Sequence, residues 1–472
     1  MGFVGKCWGS HPFQRELSED QSSPKEFKDG IREKCQPIRR DHWKTTESYR
    51  WIRKILSRHN QNLTTPLPPP SSGQEFASSP VASGLIIKMA ALAGIRVVEL
   101  AGLAPAPFCG MILADFGALV TRIDKVRTMS TTDRLARGKR SISVDLQTPE
   151  GMAIVRKLCL KSDVLIEPFR PGVMERLGLG PEILLKDNPR LIYARLTGSY
   201  GQTGCHAKRA GHDINYVSQT GLLSKLGRKD EKPTAPINLL ADFAGGGLSC
   251  AFGILLALFE RSQSGEGQVV DASMVDGAAY LGSFIYKSLD MGFIWQHPER
   301  GRNLLDSGAP FYDTYQTTDG RYMAVGAIEP KFYQNLIKGL QLEEKLPSQF
   351  DIDQWPKAKE EITKVFLTKT QSEWWELFKN LDACVTPVLT MDEAPYEPHN
   401  EERKTFIWSD GAYEPTPAPK LSRTPGCCES KPQPKIGEHS MEVLQEIGYT
   451  RTEIQQLISK GVVDYVDMKS SL

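Results

Sequence analysis

The chain has 472 residues, enough for two or more compact units. Its 58 Lys and Arg nearly cancel 57 Asp and Glu, and a formal charge of +1 excludes the basic excess of a nucleic-acid-binding protein. The 9 cysteines form no Cys-x-x-Cys pair, only Cys427 and Cys428 being close, so no metal framework is visible and reduced thiols filling a core are expected.

Residues 1–88 show no sustained apolar period and carry 14 Lys and Arg against 9 Asp and Glu. They close on Thr64-Thr65-Pro66-Leu67-Pro68-Pro69-Pro70-Ser71-Ser72-Gly73, a linker composition. A disordered extension is expected there, with one short helix over 48–59. Arg39-Arg40 and Arg53-Lys54 hint at a transit peptide, but Glu16, Glu19, Asp20, Glu26, Asp29 and Glu33 are too many acids for one.

From Ile95 short β runs alternate with helical stretches. The β runs are 95–100, 118–123, 141–146, 163–168 and 191–196; the helices are 106–116, 149–160 and 181–186. That order predicts an α/β fold, a large Rossmann-like domain over 89–308 with a parallel sheet between two helical layers. The first unit ends at Asp124, about where a dinucleotide-binding acid stands. Its turn, Gly102-Leu103-Ala104-Pro105-Ala106-Pro107, lacks the Gly-x-Gly-x-x-Gly spacing, which argues against a nicotinamide-dependent oxidoreductase. The apolar run 243–259 is slightly short for a bilayer span and holds Gly245, Gly246, Gly247 and Gly253, so a buried helix is expected and no membrane span. Residues 309–405 read as a smaller α+β domain. Its runs 311–317 and 322–325 bracket Thr318-Asp319-Gly320-Arg321, a hairpin signal, and helical spacing follows over 331–340, 356–367 and 371–381. The segment 406–472 is expected to return to the large domain.

The chemistry sits in Gly211-His212-Asp213-Ile214-Asn215-Tyr216 and, 30 residues after the His, in Asp242 of Ala241-Asp242-Phe243-Ala244-Gly245-Gly246-Gly247. One imidazole and one carboxylate, each among small and apolar residues, are what a two-base enzyme needs. His titrates near neutral pH unaided, and a desolvated carboxyl moves towards that range. A second reading stands beside this one: the His is a structural residue of its turn and Asp242 caps the helix after it. Residue pairing leaves both open.

Longer ordered matches carry a resemblance. They are Val98-Glu99-Leu100-Ala101-Gly102-Leu103-Ala104-Pro105, Arg137-Gly138-Lys139-Arg140-Ser141, Phe169-Arg170-Pro171-Gly172-Val173, Gly178-Leu179-Gly180-Pro181, the Gly-His-Asp-Ile-Asn-Tyr segment and Leu239-Leu240-Ala241-Asp242-Phe243. From Met89, where the family normally begins, to Leu472 the chain closely resembles the family III CoA-transferase group, and within it the branch that epimerises 2-methylacyl-CoA thioesters.

The resemblance implies a ring-like, interlocked homodimer with a pocket between the large domain of one subunit and the small domain of the other. It implies that His212 is the base for one epimer and Asp242 for the other, and that the backbone N–H of Asp213 meets the thioester oxygen. Asp276 matches an acid, usually Glu, that hydrogen-bonds the catalytic His; it is one methylene shorter, a gap a water can bridge. For the CoA moiety the matching positions are Lys125, Arg170 and Arg176 near the phosphates, Ser143-Val144-Asp145-Leu146 along the adenine, and Gly211, His212, Asp213, Ile214, Asn215 and Tyr216. Lys125 replaces a common Arg, keeping the charge and losing the bidentate fork. Arg134, Arg137, Lys139 and Arg140 either assist phosphate binding or decorate a loop. No cofactor is implied, CoA being part of the substrate. The resemblance further implies an enzyme of branched fatty-acid and bile-acid oxidation in peroxisomes and mitochondria. Ser470-Ser471-Leu472 keeps the two ends of a Ser-Lys-Leu address for an import receptor. Two alternatives remain: a CoA-transferase using Asp242 as nucleophile, with no need of His212, and a CoA-ester binding protein without catalysis.

Overall fold

The computed structural model describes residues 90–128, 132–196, 200–428 and 432–466. The proposed extension, the helix at 48–59 and the C-terminal tripeptide lie outside the described residues. Those described fall in one compact unit.

Among the described residues a seven-stranded sheet has the order β12-β3-β2-β1-β4-β5-β6. Its strands are β1 (Arg96–Leu100), β2 (Leu119–Asp124), β3 (Arg140–Val144), β4 (Val164–Glu167), β5 (Ile192–Arg195), β6 (Val269–Asp271) and β12 (Val463–Asp464). All pair in parallel except β12, which runs antiparallel to β3 with Val463 opposite Val144. The order 3-2-1-4-5-6 is the doubly wound one, and the chain reverses its direction of travel between β1 and β4.

The inner strands are buried on both faces, because helices cover both. Alternate residues therefore enter different cores. Val97 and Ile166 pack with Ala106, Leu113, Ile254 and Met274 on one side. Val98 and Leu165 pack with Ile154, Tyr193, Leu444 and Ile454 on the other. Helix α1 (Pro105–Asp115) follows β1, α2 (Pro149–Leu160) follows β3, and α3 (Val173–Arg176) follows β4. Where sheet order reverses, the two loops touch: a Cβ on Gly102 would lie 2.7 Å from Pro168 Cγ.

The apolar run behaves differently from expectation. It starts as a π-helix at Leu239–Leu248 and continues as α-helix α5 (Ser249–Ser264), 26 residues in all, long and apolar enough to cross a bilayer by composition. Cys250, Ala251, Ile254 and Ala257 are buried against the sheet, while Leu248, Phe252, Leu255, Leu256 and Phe259 form an exposed stripe at i, i+4, i+7, i+8 and i+11. The helix is thus covered on one face only, not buried throughout.

A third core forms from residues 309–385, with Phe311, Tyr315, Met323, Leu336, Phe366 and Trp374 at its centre. Its antiparallel sheet joins β7 (Tyr312–Gln316), β8 (Tyr322–Gly326) and β9 (Val385–Pro387) in that order. Gly320, with φ at +77°, makes the expected hairpin turn. A second hairpin, Phe406–Ser409 with Ala412–Pro415, turns on Asp410 and Gly411, both left-handed.

Candidate active site

Helix α4 (Asp213–Gln219) starts at His212, whose N–H donates to Asn215 Oδ1 at 3.1 Å. The Tyr216 hydroxyl donates back to the Gly211 carbonyl at 2.6 Å. A Cβ on Gly211 would stand 2.7 Å from the Tyr216 ring, so this close turn requires glycine. Asp213 is buried. Its Oδ1 accepts from Ala241 N at 2.6 Å and Asp242 N at 2.9 Å. Those amides belong to the first turn of the π-helix and have no acceptor within it. One carboxylate therefore joins two helix N-termini and sets His212 beside Asp242.

Asp242 is half-buried. Burial first, then the negative charge of Asp213, pushes its carboxyl up to about 6, against the pull of the Asn238 side chain and His212. The turn before it is strained: Ile237 and Asn238 are both left-handed, at φ +53° and +46°. His212 itself is exposed. The imidazole and the carboxylate singled out in the sequence thus stand at two helix ends joined through Asp213, and the charge of His212 acts on Asp242.

Asp276 stands in a helix that packs against the π-helix carrying Asp242. It is exposed in the first turn of α6 (Met274–Leu281), where its N–H donates to Ser273 Oγ at 3.3 Å. Its charge acts on Asp271, and among the described residues it makes no hydrogen bond to His212.

Lys125, Asp145 and Arg170 follow β2, β3 and β4 on the carboxyl edge of the sheet, where ligands of doubly wound folds gather. Lys125, Arg170 and Arg176 are exposed. The charge of Arg170 acts on Tyr216. Arg176 Nη1 lies 3.3 Å from where a Gly172 Cβ would be, folded over the same turn as Arg170. Ser143 and Val144 are buried within β3, at 0% and 1% exposure; Asp145 and Leu146 at the strand end are half-buried.

Of the basic cluster, left open between phosphate binding and loop decoration, Arg137, Lys139 and Arg140 are ion-paired within the fold. Arg137 pairs with Asp115 at 2.6 Å and Glu414 at 2.9 Å. Lys139 is buried against Glu99 at 2.7 Å and the Pro107 carbonyl. Arg140 pairs with Glu442 and Glu446. These three cations hold the fold together and are already neutralised, leaving no charge for phosphate.

Sequence reasoning missed two buried carboxylates near the site. The Asp213 side chain is one; only its backbone was singled out. Glu167 is the other, pushed up to about 7 mainly by burial. A carboxylate ending an apolar parallel strand, as in Val164-Leu165-Ile166-Glu167, is the signal that points to it.

A profile of CoA-transferase family III matches residues 92–440. The chain is 56% identical over 384 residues to the alpha-methylacyl-CoA racemase of Homo sapiens, covering 81% of this chain and 100% of the relative. It is 32% identical over 403 residues to the succinyl-CoA–L-malate CoA-transferase beta subunit of Chloroflexus aurantiacus, covering 79% and 98%. A solved CAIB/BAIF family protein from Brucella suis superposes with a TM-score of 0.66 at 25% identity, over 76% of this chain and 99% of that one. The chain belongs to CoA-transferase family III.

Proposed function

We propose that this protein interconverts (2R)- and (2S)-2-methylacyl-CoA thioesters, as an alpha-methylacyl-CoA racemase. The observation that carries the reading is the placement of His212 and Asp242 at two helix N-termini joined through Asp213. The α-hydrogen of a thioester is acidic because the carbonyl takes up the charge and sulfur donates little resonance. One group removes this proton, the C–H electron pair moves into the carbonyl, and an enolate forms. The other group returns a proton to the opposite face of the carbon. The Asp213 N–H, first in its helix and without an intrahelical acceptor, is the donor for the enolate oxygen. No cofactor enters this scheme, CoA being part of the substrate.

The greater identity to the racemase than to the transferase favours proton transfer over acyl transfer. So does His212, which a mechanism with Asp242 as nucleophile does not need. The finer assignments follow the resemblance: an interlocked homodimer, Lys125, Arg170 and Arg176 at the CoA phosphates, and a role in branched fatty-acid and bile-acid oxidation. The same holds for residence in peroxisomes and mitochondria, with Ser470-Ser471-Leu472 read by an import receptor.

The test is exchange in deuterium oxide starting from one epimer. Deuterium should enter the α-carbon as optical rotation is lost. His212→Ala and Asp242→Ala should each slow both by at least about a hundredfold, the scale of a lost general acid or base. Near wild-type exchange in either variant removes that residue from the mechanism. A new thioester formed on adding a free acid identifies a transferase instead.

A further inference from the structure

The loop after β4, Pro168-Phe169-Arg170-Pro171-Gly172, is held at one end by a buried carboxylate and at the other by an exposed one. Glu167, fully buried, accepts the Phe169 N–H at 2.8 Å with Oε2 and Arg195 Nε at 2.9 Å with Oε1. Arg195 stands at the same level on the neighbouring strand, Glu167 being paired with it across the sheet. Its Nη1 then reaches Glu175 Oε1 on α3 at 2.8 Å. The Glu175 carboxylate in turn accepts the N–H of Gly172. Carboxylate, guanidinium and carboxylate thus form one chain whose two outer members grip the amides on either side of Arg170. The Arg170 carbonyl accepts from Val173 N at 3.2 Å, which passes the loop directly into the helix that carries Arg176. Both exposed cations therefore rest on backbone fixed by this chain, with Arg176 folded over Gly172.

We propose that Glu167, Arg195 and Glu175 are positioning residues that hold Arg170 and Arg176 in place for the phosphates of the CoA ester. The proposal rests on the reading that these two arginines grip phosphate. Phosphate contact by a long side chain costs the entropy of ordering it, and a loop already ordered lowers that cost. Among the described residues none of the three hydrogen-bonds His212 or Asp242, so they act on binding and not on proton transfer. Burying a lone Glu167 charge is unfavourable; Arg195 and the Phe169 amide compensate it, which makes the clamp a unit.

The experiment is calorimetric titration of the full chain with free CoA, beside steady-state racemisation. Glu175→Ala, a change at a partly exposed position that should leave the fold intact, should weaken CoA binding about three- to tenfold, the worth of one ordered side chain. KM for the acyl-CoA should rise equally, with kcat within about twofold. Glu175→Gln, which keeps an acceptor for Gly172 N–H, should recover part of the loss, and Arg195→Met should reproduce the whole of it. Unchanged CoA affinity in Glu175→Ala and Arg195→Met, with Arg170→Ala weakened, overturns the clamp alone. Unchanged affinity in Arg170→Ala overturns the phosphate reading and the clamp with it. A fall in kcat with no rise in KM likewise overturns the proposal, because it marks damage to the catalytic helices.

Discussion

At the scale of single residues, the Asp213 carboxylate is the part of the site whose role can be isolated by one atom. It supplies an acceptor for two amides and a negative charge beside Asp242. Asp213→Asn keeps a carbonyl for the amides and removes the charge. The proposed two-base mechanism needs one proton shared over the pair, so activity should be bell-shaped in pH, and the same for both epimers, because the forward and reverse reactions share that protonation state. Asp242 is raised to about 6, so the acid limb falls as pH drops through that region, where the second proton is taken up. In Asp213→Asn the limb should move to lower pH while the peak rate stays within about tenfold, since hydrogen-bond geometry is kept. An unmoved limb in the kcat/KM profile refutes the charge effect. His212 and Asp242 were legible in the sequence because their chemistry is carried by residue type. The Asp213 side chain was not, because its partners are 28 and 29 residues away and only the folded chain shows that they meet. Arg137, Lys139 and Arg140 stayed open for the same reason: a run of cations in sequence does not reveal that Asp115, Glu99 and Glu442 pair with them.

At the scale of elements, alternation of short apolar runs with helical spacing recovered β1 to β5 and the hairpin β7–β8 to within a few residues, because parallel strands buried on both faces must be continuously apolar. The hairpin at 406–415 had a readable signal in Asp410-Gly411, which suits the two left-handed positions of its turn. The π-helix had none. Periodicity separates 3.6 from 2.0 residues but not a helix with wider turns, and glycines blur even that. What makes the π-helix possible is contact. A Cβ on Gly277 would lie 1.8 Å from the Gly245 carbonyl oxygen, and one on Gly245 would lie 2.6 Å from Ala278 N. The two helices pack backbone on backbone, which fixes the turn that carries Asp242. Gly277→Ala should therefore cost about 1–3 kcal/mol in urea unfolding, the usual penalty of an overpacked core. It should also lower racemisation, because Asp242 shifts with its helix. Gly292→Ala, with open space around its added Cβ, is the matched control and should be near neutral. Equal stability of the two variants contradicts the close-packing account.

At the scale of the whole molecule, the two cores on either face of the large sheet leave one surface unfinished. Phe252, Leu256 and Phe259 are exposed by 58%, 52% and 67% along the outer stripe of α5. A stripe of this kind is rare on a solitary soluble protein and marks a surface that another one covers. In the interlocked homodimer proposed for this chain, the stripe has an occupant in the second copy. The exposed apolar face and the turn that carries Asp242 lie on one continuous helix, so the proposed dimer contact would act on that turn through it. Phe252→Glu together with Phe259→Glu leaves the buried residues Cys250, Ala251, Ile254 and Ala257 untouched and should preserve the fold by circular dichroism. Placing two charges where apolar side chains meet should weaken association by at least about 2–4 kcal/mol, from the transfer cost of two large side chains. Sedimentation equilibrium should then show the wild-type chain at twice its own mass and the double variant shifted towards monomer, with racemisation falling in parallel as protein is diluted. A wild-type chain that sediments as a monomer while remaining active overturns the dimer. A double variant that stays dimeric moves the interface off this stripe.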